Sequence, residues 1–401
     1  MPEPSTIESC CVGEVKCHFT QIANFPLLPN ESGKTRSEIG CEATISRRES
    51  SSFQGLRVPD FLQSLKLLAE ALAIVAVVAG SLALLFRPRE HSPRTPRPPV
   101  SPMWNGWAIS GGLVLFMFLP PVAMLMLESA GFYSFVYGAD FPPMPPAGAD
   151  LVPDQEYAMN LRNLWATIIA APVFIGLFLF LMHETYRVRP HDIGLRFDQG
   201  RVDVSRGVRM WAWLTPITFV VFLIVNLVFW HLHGLEPKQH PLAKLGATDD
   251  RLTWTLVGLQ VIVFGPIIEE LLFRGLLLPW VTMRREHVVG CLLGCVMFAF
   301  LLTDRSPDKA RPEWMLLVPT AFVIIVGPIG LMLSQKNAAI FATALLFAAF
   351  HSSVWPTPVP LFGLGLGLGW LAVRSGGLLA PMLVHGLFNA VSFGYLLLGG
   401  E

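Results

Sequence analysis

Residues 263–280 read VFGPIIEELLFRGLLLPW, an apolar run interrupted only by two glutamates and one arginine. A bilayer span needs about 20 mostly apolar residues, and stretches of this kind recur along the chain. Candidate spans cover roughly 67–86, 106–127, 163–182, 212–230, 253–280, 288–302, 314–333, 338–354, 359–373 and 378–398. Only 14% of the 401 residues are charged, against roughly a quarter in soluble domains. The expected fold is therefore all-α: a polytopic membrane helical bundle of about nine to ten transmembrane helices with a polar N-terminal tail.

The chain divides into three regions. Residues 1–65 are polar and Ser/Glu-rich and read as a partly disordered tail. Residues 66–252 hold the first membrane helices and a Pro/Arg-rich linker, FRPREHSPRTPRPPVSP (86–102), which cannot be helical. Residues 253–398 form a second membrane core. The opening MPEPSTIESCCVGEVK lacks the apolar centre of a cleavable signal peptide. Cys10, Cys11, Cys17 and Cys41 match no zinc spacing and read as free thiols.

Charge sets the orientation. Arginines cluster after the first and third spans, and Arg284, Arg285, Lys336 and Arg374 come after later ones; the loop at 128–160 is acidic. By the positive-inside rule the basic loops share one side, placing the C-terminus outside. A net charge of zero gives no sign of a nucleic-acid partner. The expected partners are the bilayer and a membrane-anchored peptide or protein substrate, and the expected home is a bacterial cytoplasmic membrane.

Polar side chains at membrane depth gather in the C-terminal half: Glu269, Glu270, Arg274, His351, His385 and Asn389. A charge there costs about 2.5–3.5 kcal/mol on insertion scales, which makes each a candidate functional residue. Helical spacing separates the glutamates. Arg274 lies one turn beyond Glu270 and can pair with it, whereas Glu269 is rotated by about 100° and seeks another neighbour. Phe347 and His351 are four apart, as are His385 and Asn389. One carboxylate, two imidazoles and a carboxamide converging in a low-dielectric cavity would make a hydrolytic site. The carboxylate would activate water, and imidazole or carboxamide donors would meet an oxyanion. Taken singly, an Asn on a membrane helix is often helix–helix glue, and a Glu–Arg pair can be purely structural. No HExxH zinc helix is present; HETYR (183–187) only begins like one.

EELLFR (269–274), FAAFH (347–351) and HGLFN (385–389), in this order on apolar segments, resemble the EExxxR, FxxxH and HxxxN motifs of the CPBP family of intramembrane proteases, the CAAX prenyl protease and bacteriocin-processing group. The resemblance covers roughly 253–395. It implies a helical membrane core with Glu269 as general base sharing a water with His351. His385 and Asn389 would form the oxyanion site, with Glu270, Arg274 and Phe347 in support. No cofactor is favoured; Glu269, His351 and His385 as zinc ligands are the alternative. The expected activity is hydrolysis of a peptide bond in a membrane-associated protein. The alternatives are a non-catalytic scaffold or bacteriocin-immunity protein of the same fold, and a proton-coupled transporter. The segment 314–333 is an insertion between the first two motifs and must sit without displacing Glu269 from His351.

Overall fold

The computed structural model describes residues 103–146, 152–233, 250–303 and 316–397. The tail at 1–65, the candidate span at 67–86 and the 86–102 linker lie outside them. Among the described residues every regular element is helical. In chain order these are α1 (Gly106–Ser129), α2 (Phe132–Tyr137), α3 (Pro153–Tyr186), α4 (Gly200–His233), α5 (Arg251–Met283), α6 (Arg285–Leu302), α7 (Val318–Leu331), α8 (Gln335–Ala349), α9 (Pro358–Ser375) and α10 (Leu379–Leu397).

Six of them, α1, α3, α4, α5, α6 and α10, are long and apolar enough to cross a membrane. Phe118, Met126, Phe180, Trp213, Leu293, Met297, Leu301 and Ile325 stand exposed on helix faces. Hydrocarbon tolerates such faces and water does not, so the chain is an integral, multi-pass membrane protein. The inner faces obey helical periodicity. On α6 the buried residues are Val288, Cys291, Leu292, Cys295 and Ala299, one stripe at three- and four-residue steps.

Two helices begin earlier than their hydropathy suggests. α3 opens at Pro153, ten residues before the expected span, with Asp154 and Glu156 in its first turn. Proline suits the first helical position, and acidic side chains there face the positive end of the helix dipole. α4 opens at Gly200, and its first turns bury Asp203, Ser205, Gly207 and Val208 while Arg201 and Arg209 stay at the exposed side. A third helix ends early: α8 stops at Ala349, so His351 sits in the turn beyond it and not within the span.

α8 is the central helix. Each residue from Ala338 to Ala349 is buried, enclosed by α6, α7, α9 and the end of α5. Its alanines let α9 approach closely. A Cβ added at Gly365 would lie 3.1 Å from Ala344 Cβ, and one at Gly369 would lie 3.1 Å from Ile340 Cγ2. On its other side α9 packs against α4, and α10 packs against α4 and against the middle of α5. α7, in the segment expected as an insertion, lies on α6 and α8, away from the contact between α5 and α10.

Candidate active site

The glutamates sit on an unusual piece of helix. Along α5, the segment Gly265–Glu270 is bracketed by two wide turns, Gln260–Phe264 and Leu271–Leu277. The Gly265 N–H reaches back five residues to Gln260 O, and the Leu278 N–H reaches Phe273 O. Wide turns of this type are rare in helices and recur at functional sites. Between them, Arg274 Nη1 donates to Glu270 Oε1 at 2.8 Å, as the four-residue spacing predicts. Arg274 Nη2 reaches Gly365 O on α9 at 3.4 Å, and the guanidinium lies 4.6 Å from the centre of the Phe347 ring. The pair is sealed, with side-chain exposures of 2% for Arg274 and 0% for Glu270.

His385 joins this pair. Its Nδ1 lies 2.9 Å from Glu270 Oε1, so one carboxylate oxygen receives both the guanidinium and the imidazole. A carboxylate oxygen paired with arginine only accepts, which places the proton on Nδ1. The opposite nitrogen, Nε2, then faces Glu269 Oε2 at 3.7 Å. That separation is a charge contact too long for a hydrogen bond, and Glu269 Oε2 has no hydrogen-bond partner. The two glutamates thus differ in environment: the Glu269 side chain keeps 24% of its surface exposed and that of Glu270 none. Gly265, one turn before Glu269, suits the wide turn itself: a Cβ there would lie 3.1 Å from Gln260 O, the carbonyl that its N–H reaches.

Phe347 is the hub between the motifs. Its ring centre is 5.6 Å from that of His385, edge to face, and 5.1 Å from that of His351. His351 hydrogen-bonds through Nδ1 to Phe347 O at 2.9 Å. A carbonyl oxygen accepts, so Nδ1 carries the proton and Nε2 keeps its lone pair. No direct hydrogen bond or ion pair joins His351 to Glu269 among the described residues. Asn389 is half-buried and donates through Nδ2 to Val261 O at 2.7 Å.

The structure therefore brings Glu269, Glu270, Arg274, Phe347 and His385 into one connected cluster, sets His351 against the same phenylalanine, and ties Asn389 to the backbone of α5. Sequence spacing anticipates Arg274 on Glu270. It does not anticipate His385 on Glu270, a contact between residues 115 apart in the chain, nor Asn389 on Val261. Among the described residues no three His, Cys, Asp or Glu side chains are gathered as a metal-holding group. With Nδ1 of each histidine held by a carbonyl or a carboxylate, Nε2 is the nitrogen a metal would take, but Glu269, His351 and His385 as placed do not form such a group.

No curated protein and no solved structure matches the chain. A family model described as type II CAAX prenyl endopeptidase Rce1-like matches residues 251–334 and 327–391. These segments contain α5 to α9 and α10 through Asn389, and with them each residue of the cluster just described. Residues 251–391 form a domain of the Rce1-like type II CAAX prenyl endopeptidase family, a family of proteases.

Proposed function

We propose that the protein is an intramembrane endopeptidase that hydrolyses a peptide bond in a membrane-associated protein or peptide, with residues 253–398 as its catalytic core and Glu269 as its general base. The observation that carries this reading is the inequality of the two glutamates. Glu270 is sealed and hydrogen-bonded to Arg274 and His385, while Glu269 keeps 24% of its side-chain surface exposed and approaches His385 only at 3.7 Å.

In this reading Glu269 accepts a proton from a water as the water oxygen attacks the scissile carbonyl carbon. His351, with its proton on Nδ1, accepts a hydrogen bond from the same water at Nε2. The carbonyl oxygen gains the negative charge. His385 in its imidazolium form offers Nε2–H to that oxygen, and the cluster then balances two carboxylates with one guanidinium and one imidazolium. Preorganised donors of this kind are commonly the largest electrostatic contribution to acyl transfer. The intermediate collapses by breaking the C–N bond, and protonated Glu269 delivers its proton to the departing amine.

The test is cleavage of membrane-tethered peptides, prenylated and unprenylated, by the purified full-length protein in lipid nanodiscs, with and without a strong chelator. Wild type should cleave in both conditions and Glu269→Gln should lose at least a hundredfold in kcat. Equal turnover by the two proteins would sink the assignment of Glu269, and loss of activity on chelation would restore the zinc alternative.

A further inference from the structure

Pro266, three residues before Glu269, carries no N–H. Its effect on the helix ladder falls on two carbonyls. Val261 O would ordinarily accept from Gly265, but that N–H is committed to Gln260 O; the next residue along is Pro266. Ile262 O would ordinarily accept from Pro266 itself. Both gaps lie beneath α10. Asn389 Nδ2 donates to Val261 O at 2.7 Å. Gly386, one turn earlier on α10, sits so close above Ile262 O that an added Cβ would lie 2.7 Å from it. A carbonyl shielded from water and left without a partner is unfavourable, so the contact with α10 favours the wide turn over its alternatives.

The turn matters because Glu269 lies just beyond it. One extra residue in a turn rotates the rest of the helix by roughly 100°. That is also the angle between Glu269 and each of its neighbours Ile268 and Glu270, both of which are buried. Closing the turn would aim Glu269 into packed surroundings and bring another residue to the open side.

We infer that Asn389 is a positioning residue that stands in for the N–H missing at Pro266 and so holds open the wide turn that directs Glu269. The inference rests on the reading of Glu269 as base, and it departs from the oxyanion role that the family resemblance implies for Asn389. Pro266→Ala provides the test, because an alanine N–H can continue the five-residue pattern set by Gly265 and reach Val261 O. Full-length wild type, Asn389→Ala, Pro266→Ala and the double variant are compared in nanodiscs for thermal unfolding and for kcat and KM on a cleaved peptide. Asn389→Ala should lower the unfolding temperature and reduce kcat at least tenfold. The double variant should recover most of both losses. Asn389→Ala with unchanged unfolding temperature, or a double variant that regains stability but not turnover, would overturn the positioning role in favour of direct contact with substrate. The unfolding comparison stands even if no peptide is cleaved, so failure of the positioning role and failure of the protease reading are separable.

Discussion

His385 and Glu270 meet at 2.9 Å, Nδ1 to Oε1, on the same oxygen that receives Arg274 at 2.8 Å. This shared oxygen makes Glu270 the counter-ion of one buried cation and the orienting partner of an imidazole. Glu270→Gln keeps the shape but removes the charge, leaving the buried Arg274 without its directly bonded counter-ion. Breaking a buried pair from one side costs on the order of 3–5 kcal/mol. Glu270→Gln should therefore lower the unfolding temperature and abolish turnover together. Glu269→Gln, at a partly open position, should leave unfolding nearly unchanged and abolish turnover alone. Thermal unfolding in detergent beside peptide cleavage checks the contrast, and equal destabilisation by the two variants would contradict it.

Gly365 joins the packing of α9 to the ion pair. Its missing side chain lets α9 lie against Ala344, and its carbonyl receives Arg274 Nη2 at 3.4 Å. In Gly365→Ala the new Cβ meets Ala344 Cβ at 3.1 Å, its Cα at 3.2 Å and its carbonyl oxygen at 3.3 Å. These are backbone-anchored neighbours that cannot rotate away, so α9 itself must move. Overpacking of this kind costs about 1–3 kcal/mol, and here it also pulls the carbonyl from Arg274. The expected result is a lower unfolding temperature with reduced kcat. Gly363→Ala is the control, since nothing lies within 4 Å of its Cβ position.

How much of this is legible in the sequence depends on the range of each contact. Glu270 with Arg274 is local and comes directly from helical spacing. The three motifs place the right residues on successive helices, but spacing within one helix says nothing about which carboxylate His385 meets. The wide turns are hidden too, because a regular helical period passes straight over Gly265–Pro266, where the ladder is disrupted. The sequence puts His351 in a span because the apolar run continues past the end of α8 at Ala349. The early starts of α3 and α4 escape for a related reason: their first turns are amphipathic, and a hydropathy window averages such turns away. Pro153 with Asp154 and Glu156 is the available signal for α3.

Arg162, which the sequence offers only as the first basic residue after an acidic loop, is 1% exposed. It binds Glu128 Oε2 at 2.9 Å, donates to Pro142 O at 2.6 Å and lies 4.6 Å from the centre of the Phe141 ring. These contacts fasten α1, α3 and the segment after α2 to one another. Nearby, burial pushes the Tyr133 phenol up to about 12. A lysine offers one point charge where the planar fork of arginine makes divergent bonds and stacks on rings. Arg162→Lys should thus be destabilised nearly as much as Arg162→Ala, by roughly 3 kcal/mol. Turnover per folded molecule should stay close to wild type, since α5 and α10 carry the cluster. A large drop in kcat from a protein of unchanged stability would place Arg162 in the reaction instead.

Asp250 begins the helix that carries Glu269. Its carboxylate accepts from Leu252 N at 3.0 Å, from Thr253 N at 3.1 Å and from Thr253 Oγ1 at 2.6 Å, capping the first turn of α5. The Thr253 hydroxyl, with the two backbone N–H groups, holds the carboxyl below its ordinary value of 3.8. A folded-state value below the unfolded one means that the ionised cap stabilises the fold fully above about pH 4 and progressively less as pH falls through the folded value. Asparagine keeps a capping oxygen without the charge. The unfolding temperature of wild type should therefore exceed that of Asp250→Asn at pH 6, and the gap should close as the pH approaches 3. Asp250→Ala should cost about 1 kcal/mol at pH 6, the usual worth of a helix cap. A gap that widens in acid would reverse the sign, and the stabilisation would then have to come from the protonated carboxyl.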